Sequence, residues 1–285
     1  MSAPDDAGRI RLVRAIFPDL AGELDAALAR HGNAQGSAGG DAFDAWLDDE
    51  VERVIGESLG AVGFADVDDE VQRARFERAF EAARRAAAWA GVELPQPEAF
   101  ALAGANLARL GAALAADDTL VPVPAPYGLG TAGWRRAFER AADESSAFGT
   151  QGDASPLVLA SEAEREFSLL DQAPAAVHFV RERSGAVRGW TLRLVPAAPA
   201  PAVVGLSFEH GPHLTLPEML MLQLMRAAEG EPLVDARTFT WLAHPLADGV
   251  LAARHVYDES ERAIRISCRE TGNQGPHLGA RPPIA

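Results

Sequence analysis

Lysine is absent from this sequence. All 26 basic side chains among its 285 residues are arginine, and 41 acidic residues bring the formal net charge to −15. An arginine guanidinium keeps its proton in proteins, so it cannot replace lysine in a Schiff base. The absence therefore excludes pyridoxal enzymes. It also excludes P-loop nucleotide-binding proteins and kinases, because both need a lysine that contacts the phosphates of the nucleotide.

Cysteine and long apolar segments are also scarce. The single cysteine, Cys268, cannot form a disulfide within the chain. The first residues, MSAPDDAGRIRLVRAIF, carry acidic side chains where a secretory signal would have a basic region and a long apolar run. The most apolar short window, Met219 to Met225, is far below the roughly 18 residues that span a bilayer. We therefore expect a cytoplasmic protein. Its negative charge argues against binding to nucleic acid or to an anionic membrane.

The two halves of the chain differ in charge and in histidine content. Residues 1–150 contain 14 arginines and 25 acidic residues, a net charge of −11, whereas residues 151–285 contain 12 and 16, a net charge of −4. Only His31 lies in the first half, and the other six histidines lie in the second. A hydrophobic content of 48% indicates a packed core in a globular protein.

Helical signals dominate residues 1–116. Apolar residues recur at helical spacing over about 19–31, 41–58, 66–90 and 97–116, with glycine or proline at several of the boundaries. Four helices joined by short loops are typical of a helical bundle. We therefore predict an acidic helical domain over residues 1–116.

Residues 117–155 have a different composition and are predicted to connect two domains. Their first part, TLVPVPAPY at 119–127, contains three prolines, which favour extended or polyproline geometry. This segment is predicted to be a linker or an edge strand, because proline cannot donate to a central sheet ladder. One helix follows, at about 132–145.

Residues 156–285 combine strands with two helices. Strand-like runs occur at 157–160, 176–181, 190–195, 203–208, 236–242, 250–257 and 263–268. Ser-Glu-Ala-Glu at 161–164 and Thr-Leu-Pro-Glu at 215–218 match the capping box, and they predict helices over about 162–171 and 216–229. The predicted fold class is α+β, with an N-terminal helical bundle followed by a mainly antiparallel sheet backed by helices.

A glycine-rich segment, Gly-Leu-Gly-Thr-Ala-Gly at 128–133, formally matches the dinucleotide-binding fingerprint. Such a fingerprint needs a buried parallel strand before it, and the prolines at 122, 124 and 126 argue against one. A flexible turn ending in a helix cap explains the segment better. A weaker hypothesis is that Gly130 and Thr131, with Arg135 and Arg136, hold an isolated anion or a carboxylate of a partner.

Two Gly-Pro-His-Leu tetrapeptides, at 211–214 and 275–278, concentrate histidine in the second half. His210 and His213, with His277 as a distant third ligand, are candidates for binding zinc or another divalent metal. Such a metal could activate water, with Glu209, Glu218 or Glu270 as the base. The alternative is that these are ordinary loop histidines, because no established metal-binding spacing is present.

Acidic side chains cluster at 41–52 and at 66–70. We expect each acidic cluster to lie on a solvated helix face. Such a face can also bind a partner that has a basic surface. The leading hypothesis is a non-catalytic interaction protein, an adaptor or scaffold without a cofactor, whose acidic helical domain binds a protein with a basic surface. One alternative is a metal-assisted hydrolase with its site in the C-terminal domain. Another is a small-ligand sensor in which the sheet and the Met-rich helix, predicted over 216–229, enclose a pocket.

Overall fold

The computed structural model describes residues 63–149, 155–175, 177–181, 187–204, 206–211, 213–246 and 248–285. They belong to one compact unit, 62–285. The helices predicted at 19–31 and 41–58 lie outside the described residues. Because of this, the bundle and the domain division 1–116, 117–155 and 156–285 stay predictions, although the unit includes parts of all three regions.

Helices and strands alternate irregularly along this unit, which confirms the α+β class. The helices are α1 Glu70–Ala90, α2 Pro97–Leu102, α3 Leu107–Ala116, α4 Gly130–Glu144, α5 Ser161–Arg165, α6 Phe167–Leu170 and α7 Leu216–Glu229, with a 3-10 turn at Phe208–His210. The strands are β1 Leu120–Tyr127, β2 Leu157–Leu159, β3 Val180–Arg181, β4 Gly189–Pro196, β5 Val203–Val204, β6 Phe239–Pro245, β7 Leu251–Asp258, β8 Ala263–Glu270 and β9 Leu278–Ala280. No described helix has the length and apolar character needed to cross a membrane.

The strands form two sheets where the sequence predicts one. The smaller sheet has the order β1-β4-β3 and is antiparallel throughout. The larger has the order β2-β8-β7-β6-β9-β5, in which β2 pairs with β8 and β6 with β9 in parallel. Most of the described pairings are antiparallel, as predicted. The second sheet arises because the proline-rich segment pairs with β4 along its whole length.

The proline-rich segment is an edge strand, one of its two predicted alternatives. Pro122, Pro124 and Pro126 alternate along β1, so they occupy positions on one side of the strand ladder. Because β4 is the only described strand that pairs with β1, prolines whose nitrogens face the outer edge leave the ladder intact. They also deprive that edge of donors for a further strand.

Local capping signals set the ends of helices α1 and α7. The Asp69 carboxylate accepts hydrogen bonds from the N–H groups of residues 71 and 72, and Gly91, at φ 73°, ends α1. In α7 the Thr215 hydroxyl accepts from the Glu218 N–H, and the Glu218 carboxylate accepts from the Thr215 N–H. The predicted capping box of α7 is therefore confirmed.

Two predicted helices are wrong in detail. The helix predicted over 97–116 is interrupted between α2 and α3 at Gly104, which has φ 109° and packs against the His178 ring so closely that a Cβ there would lie 2.6 Å from Nδ1. The helix predicted over 162–171 is divided into α5 and α6. Its capping box does not form, because Ala160 occupies the N-cap position and the Ser161 hydroxyl bonds the Glu162 carboxylate.

The larger sheet has two different faces. One face packs on α7 in the main hydrophobic core, to which Ala253, Ile264 and Ile266 belong. On the other face Trp241, Ala252 and Leu278 form a separate small cluster with Phe208 and Phe239. Helix α7 is buried on almost every side, including its methionines, so the predicted Met-rich helix is a core element.

Candidate functional site

The face of the larger sheet that lies away from α7 carries several polar side chains that are exposed or half-buried. The register places Arg254 opposite Ser267 and Val256 opposite Arg265. Side chains two residues apart in a strand share a face, so these four project on the same side as Arg269. We call this surface the open face: Phe239, Arg254, Val256, Arg265, Ser267 and Arg269.

A cavity of about 650 Å³ lies on the open face near the β2 edge. Val158, Val256 and Phe239 supply apolar surface to its lining, and Arg237 and Arg265 supply guanidinium groups. This volume is in the usual range for pockets that bind small molecules. The lining also contains two carboxylates, Asp258 and Glu259, so the cavity combines an apolar surface with charged groups of both signs.

Arg254 is held next to this cavity by two contacts. Its guanidinium carbon lies 4.0 Å from the centre of the Phe239 ring, and its Nε donates to the Ser267 Oγ at 3.0 Å. Phe239 and Ser267 both line the cavity. Partial burial, together with the nearby charge of Arg269, lowers the pKa of Arg254. Within the described part of the chain, neither Arg254 nor Arg269 bonds a carboxylate.

The remaining arginine of the open face is neutralised. The Arg265 Nε lies 3.2 Å from the Asp258 carboxylate, and its terminal nitrogen bonds the Glu261 carboxylate. Hydrogen bonds from Ser260 and the Glu261 N–H keep the pKa of the half-buried Asp258 carboxyl low. The uncompensated positive charge of the open face therefore comes from Arg254 and Arg269.

The predicted metal ligands do not form a group. His210 ends the exposed 3-10 turn, while the His213 ring stacks on Phe208 at 4.5 Å and its Nε2 bonds the Phe208 carbonyl. Burial lowers the pKa of His213. His277 is exposed in the turn before β9. Among the described residues, which include all three, no cluster of three His, Cys, Asp or Glu side chains could hold a metal ion.

The glycine-rich turn is held by a carboxylate of the same chain. Asp171 accepts hydrogen bonds from the N–H groups of Gly128, at 3.0 Å, and Gly130, at 3.1 Å. Burial raises the pKa of Asp171, and the two amides oppose that effect.

The charged and polar residues predicted beside this turn are dispersed. Arg135 forms an ion pair with Glu164 at 2.7 Å, Arg136 is exposed, and Thr131 lies within α4. An anion site at Gly130, Thr131, Arg135 and Arg136 stays a prediction.

The two buried arginines of this unit, Arg281 and Arg193, each bond a fully buried carboxylate. Asp235 accepts from Arg281, from Thr240 and from the His255 ring on the α7 side of the larger sheet. A second pair joins Arg193 of β4 to Glu218 of α7. These groups are saturated with internal partners and do not line the cavity.

Sequence reasoning missed the open face. The strands β7 and β8 were predicted, yet Arg254, Arg265 and Arg269 were not singled out, since only their register shows that they are neighbours. The alternation of polar with apolar residues in Arg-Ile-Ser-Cys-Arg at 265–269 was the available signal. No protein-family model, curated protein or solved structure matches this chain.

Proposed function

We propose that this protein is a non-catalytic binding protein that holds a small molecule in the cavity of the open face. The cavity itself carries this proposal, because its lining offers apolar surface together with charged groups that could orient a ligand. This function combines two expectations from the sequence, a non-catalytic role and a small-ligand sensor. The proposed ligand site lies on the open face of the larger sheet, opposite the Met-rich helix α7.

The distribution of ionisable groups supports binding over catalysis. General acid–base or nucleophilic chemistry needs a reactive group within hydrogen-bond reach of the substrate. The described lining of the cavity contains no histidine or cysteine. Of its two carboxylates, Asp258 is already bonded to Ser260 and Arg265, and Glu259 is exposed to solvent. Metal-assisted hydrolysis by His210, His213 and His277 has no support from their positions.

Binding of the neutral fluorophore phenylnaphthylamine tests the cavity. We expect one saturable site per chain, and we expect Val256→Trp to weaken binding about tenfold or more because the indole fills the space above the strand. Val250→Trp is the matched control, since Val250 is 56% exposed and does not line the cavity. Equal binding by the wild type and both variants would contradict the proposal, provided that urea unfolding shows all three to be folded.

The partner with a basic surface remains a separate proposal, as does the cytoplasmic location. The acidic cluster at 41–52 lies outside the described residues. The cluster at 66–70 lies just before α1 and includes the first residue of that helix. Helix α1 itself carries three glutamates and five arginines, so its own net charge is positive. A salt-sensitive interaction would thus depend mainly on the earlier cluster.

A further inference from the structure

Two like charges are adjacent on the open face. Arg254 pairs with Ser267 and Arg269 pairs with Ala252, so the two arginines are diagonal neighbours on antiparallel strands. Such neighbours are about 7–8 Å apart at their Cα atoms, within reach of long side chains. Without a carboxylate in the described structure to separate them, the two guanidinium groups repel each other, and an anion from outside the chain would relieve this repulsion.

Arg254 is also prepared to bind an oxyanion. Stacking on Phe239 and the bond to Ser267 hold the guanidinium plane, and no described acceptor uses its two terminal nitrogens. A guanidinium in a fixed orientation loses little entropy when it binds the two oxygens of a carboxylate, phosphate or sulfonate group. Since both holding residues line the cavity, the bound oxyanion would lie at the cavity border.

We propose that the ligand is a small organic anion, with its apolar body in the cavity and its oxyanion group on Arg254 and Arg269. This inference rests on the proposed function and adds the charge of the ligand. A small anion fits better than a polyanion, because a formal net charge of −15 repels a long acidic chain while two local arginines can attract one charged group. Arg237 and Glu259, both exposed in the cavity lining, carry opposite charges, so the positive charge at this border comes from Arg254 and Arg269.

Two fluorophores of similar shape distinguish the contribution of the ligand's charge to binding from the contribution of the cavity. Anilinonaphthalene sulfonate carries one negative charge and phenylnaphthylamine none. We expect the wild type to bind the sulfonate at least about tenfold more tightly, the size of one charge-assisted hydrogen bond. Raising NaCl from about 50 to about 500 mM should weaken sulfonate binding only, because salt screens charge.

Three arginine-to-glutamine variants test which residues produce the preference for the sulfonate over the neutral amine. Arg254→Gln should remove the preference for the sulfonate and leave the affinity for the amine within about twofold. Arg269→Gln should reduce the preference by a smaller factor. Arg109→Gln, at an exposed position of α3, should change neither affinity. If Arg254→Gln fails to fold, Arg269→Gln still tests the inference, since its side chain is exposed.

Competition identifies the anion. Displacement of the sulfonate by benzoate but not by phenyl phosphate would assign a carboxylate ligand, and the reverse would assign a phosphate. Equal wild-type affinity for the two fluorophores would overturn the inference and leave the cavity as a binding site. Failure of the neutral amine to bind, or its binding equally to Val256→Trp, would instead overturn the proposed function.

Discussion

At the scale of single residues, Asp235 is the centre of a buried network of charged and polar side chains. Its carboxylate lies between Arg281, at 2.5 Å, and the His255 Nδ1, at 3.0 Å, and all three side chains are fully buried. Gln223 determines the tautomer of His255. Its amide is oriented by two bonds to the Val234 backbone and points its second hydrogen at the His255 Nε2. The neutral ring therefore accepts at Nε2 and donates from Nδ1 to Asp235.

We expect Asp235→Asn to lower the free energy of unfolding by about 3–5 kcal/mol at neutral pH, because it leaves the buried Arg281 without a counter-charge. Urea unfolding measures this loss. Asp143→Asn, at an exposed position of α4, is the control and should change the free energy by less than about 0.5 kcal/mol. A loss below about 1 kcal/mol for Asp235→Asn would show that the pair contributes little.

The same carboxyl predicts a pH dependence of stability. Burial raises the pKa of Asp235, but the hydrogen bond from His255 and the charge of Arg281 outweigh burial and leave the pKa below its ordinary value. The stabilisation is therefore present above about pH 4 and is lost as pH falls through the lowered pKa of the folded state. Unfolding titrations from pH 7 towards pH 2 should show a smaller decline for Asp235→Asn than for the wild type.

At the scale of elements, the short pairing of β3 with β4 depends on one missing side chain. A Cβ at Gly189 would lie 2.2 Å from the Val180 carbonyl oxygen and 2.5 Å from the Phe179 ring. Both obstacles lie in the segment that pairs with β4, so neither can move without disturbing that pairing.

Gly189→Ala should therefore lower the free energy of unfolding by about 2 kcal/mol or more, as overpacking does in a core. It should also accelerate amide exchange of Val180 and Arg181. Gly272→Ala is the control, since a Cβ there meets nothing within 4 Å and its φ is not positive. Wild-type stability in Gly189→Ala would contradict the close approach of the two strands.

Elements with strong local signals are those that the sequence predicts well. Helices α1 and α7 begin and end within a few residues of their predicted bounds because Asp69, Gly91 and the Thr215 box act locally. The division between α2 and α3 escaped prediction because the His178 ring that packs on Gly104 is distant in sequence. Strand β9 has only three residues and was missed for lack of a periodic pattern.

At the scale of the whole unit, the C-terminal residues tie the two sheets together. Arg281 donates to the Pro196 carbonyl of β4 as well as to Asp235 and Thr240. Leu194 and Ile284 exchange two backbone hydrogen bonds of 2.9 Å. Helix α7 adds a third connection, since Glu218 bonds Arg193 and Gln223 faces His255.

We therefore expect the two sheets to unfold in one cooperative transition. Hydrogen exchange in increasing urea should give the amides of β4 and β7 the same global unfolding free energy, within about 1 kcal/mol. Exchange of one sheet at a free energy several kcal/mol lower than the other would show that these connections are weak.

The amino-acid sequence by itself determined the exclusion of lysine-dependent chemistry, the α+β class and the caps of the main helices. Each of these follows from composition or from residues a few positions apart. The tertiary structure alone decided that β1 lies in a second sheet, that Asp171 bonds the glycine-rich turn and that Arg254 and Arg269 are diagonal neighbours on adjacent strands. These contacts depend on strand register and on long-range packing, because a shift of one residue would turn the arginines to the opposite face.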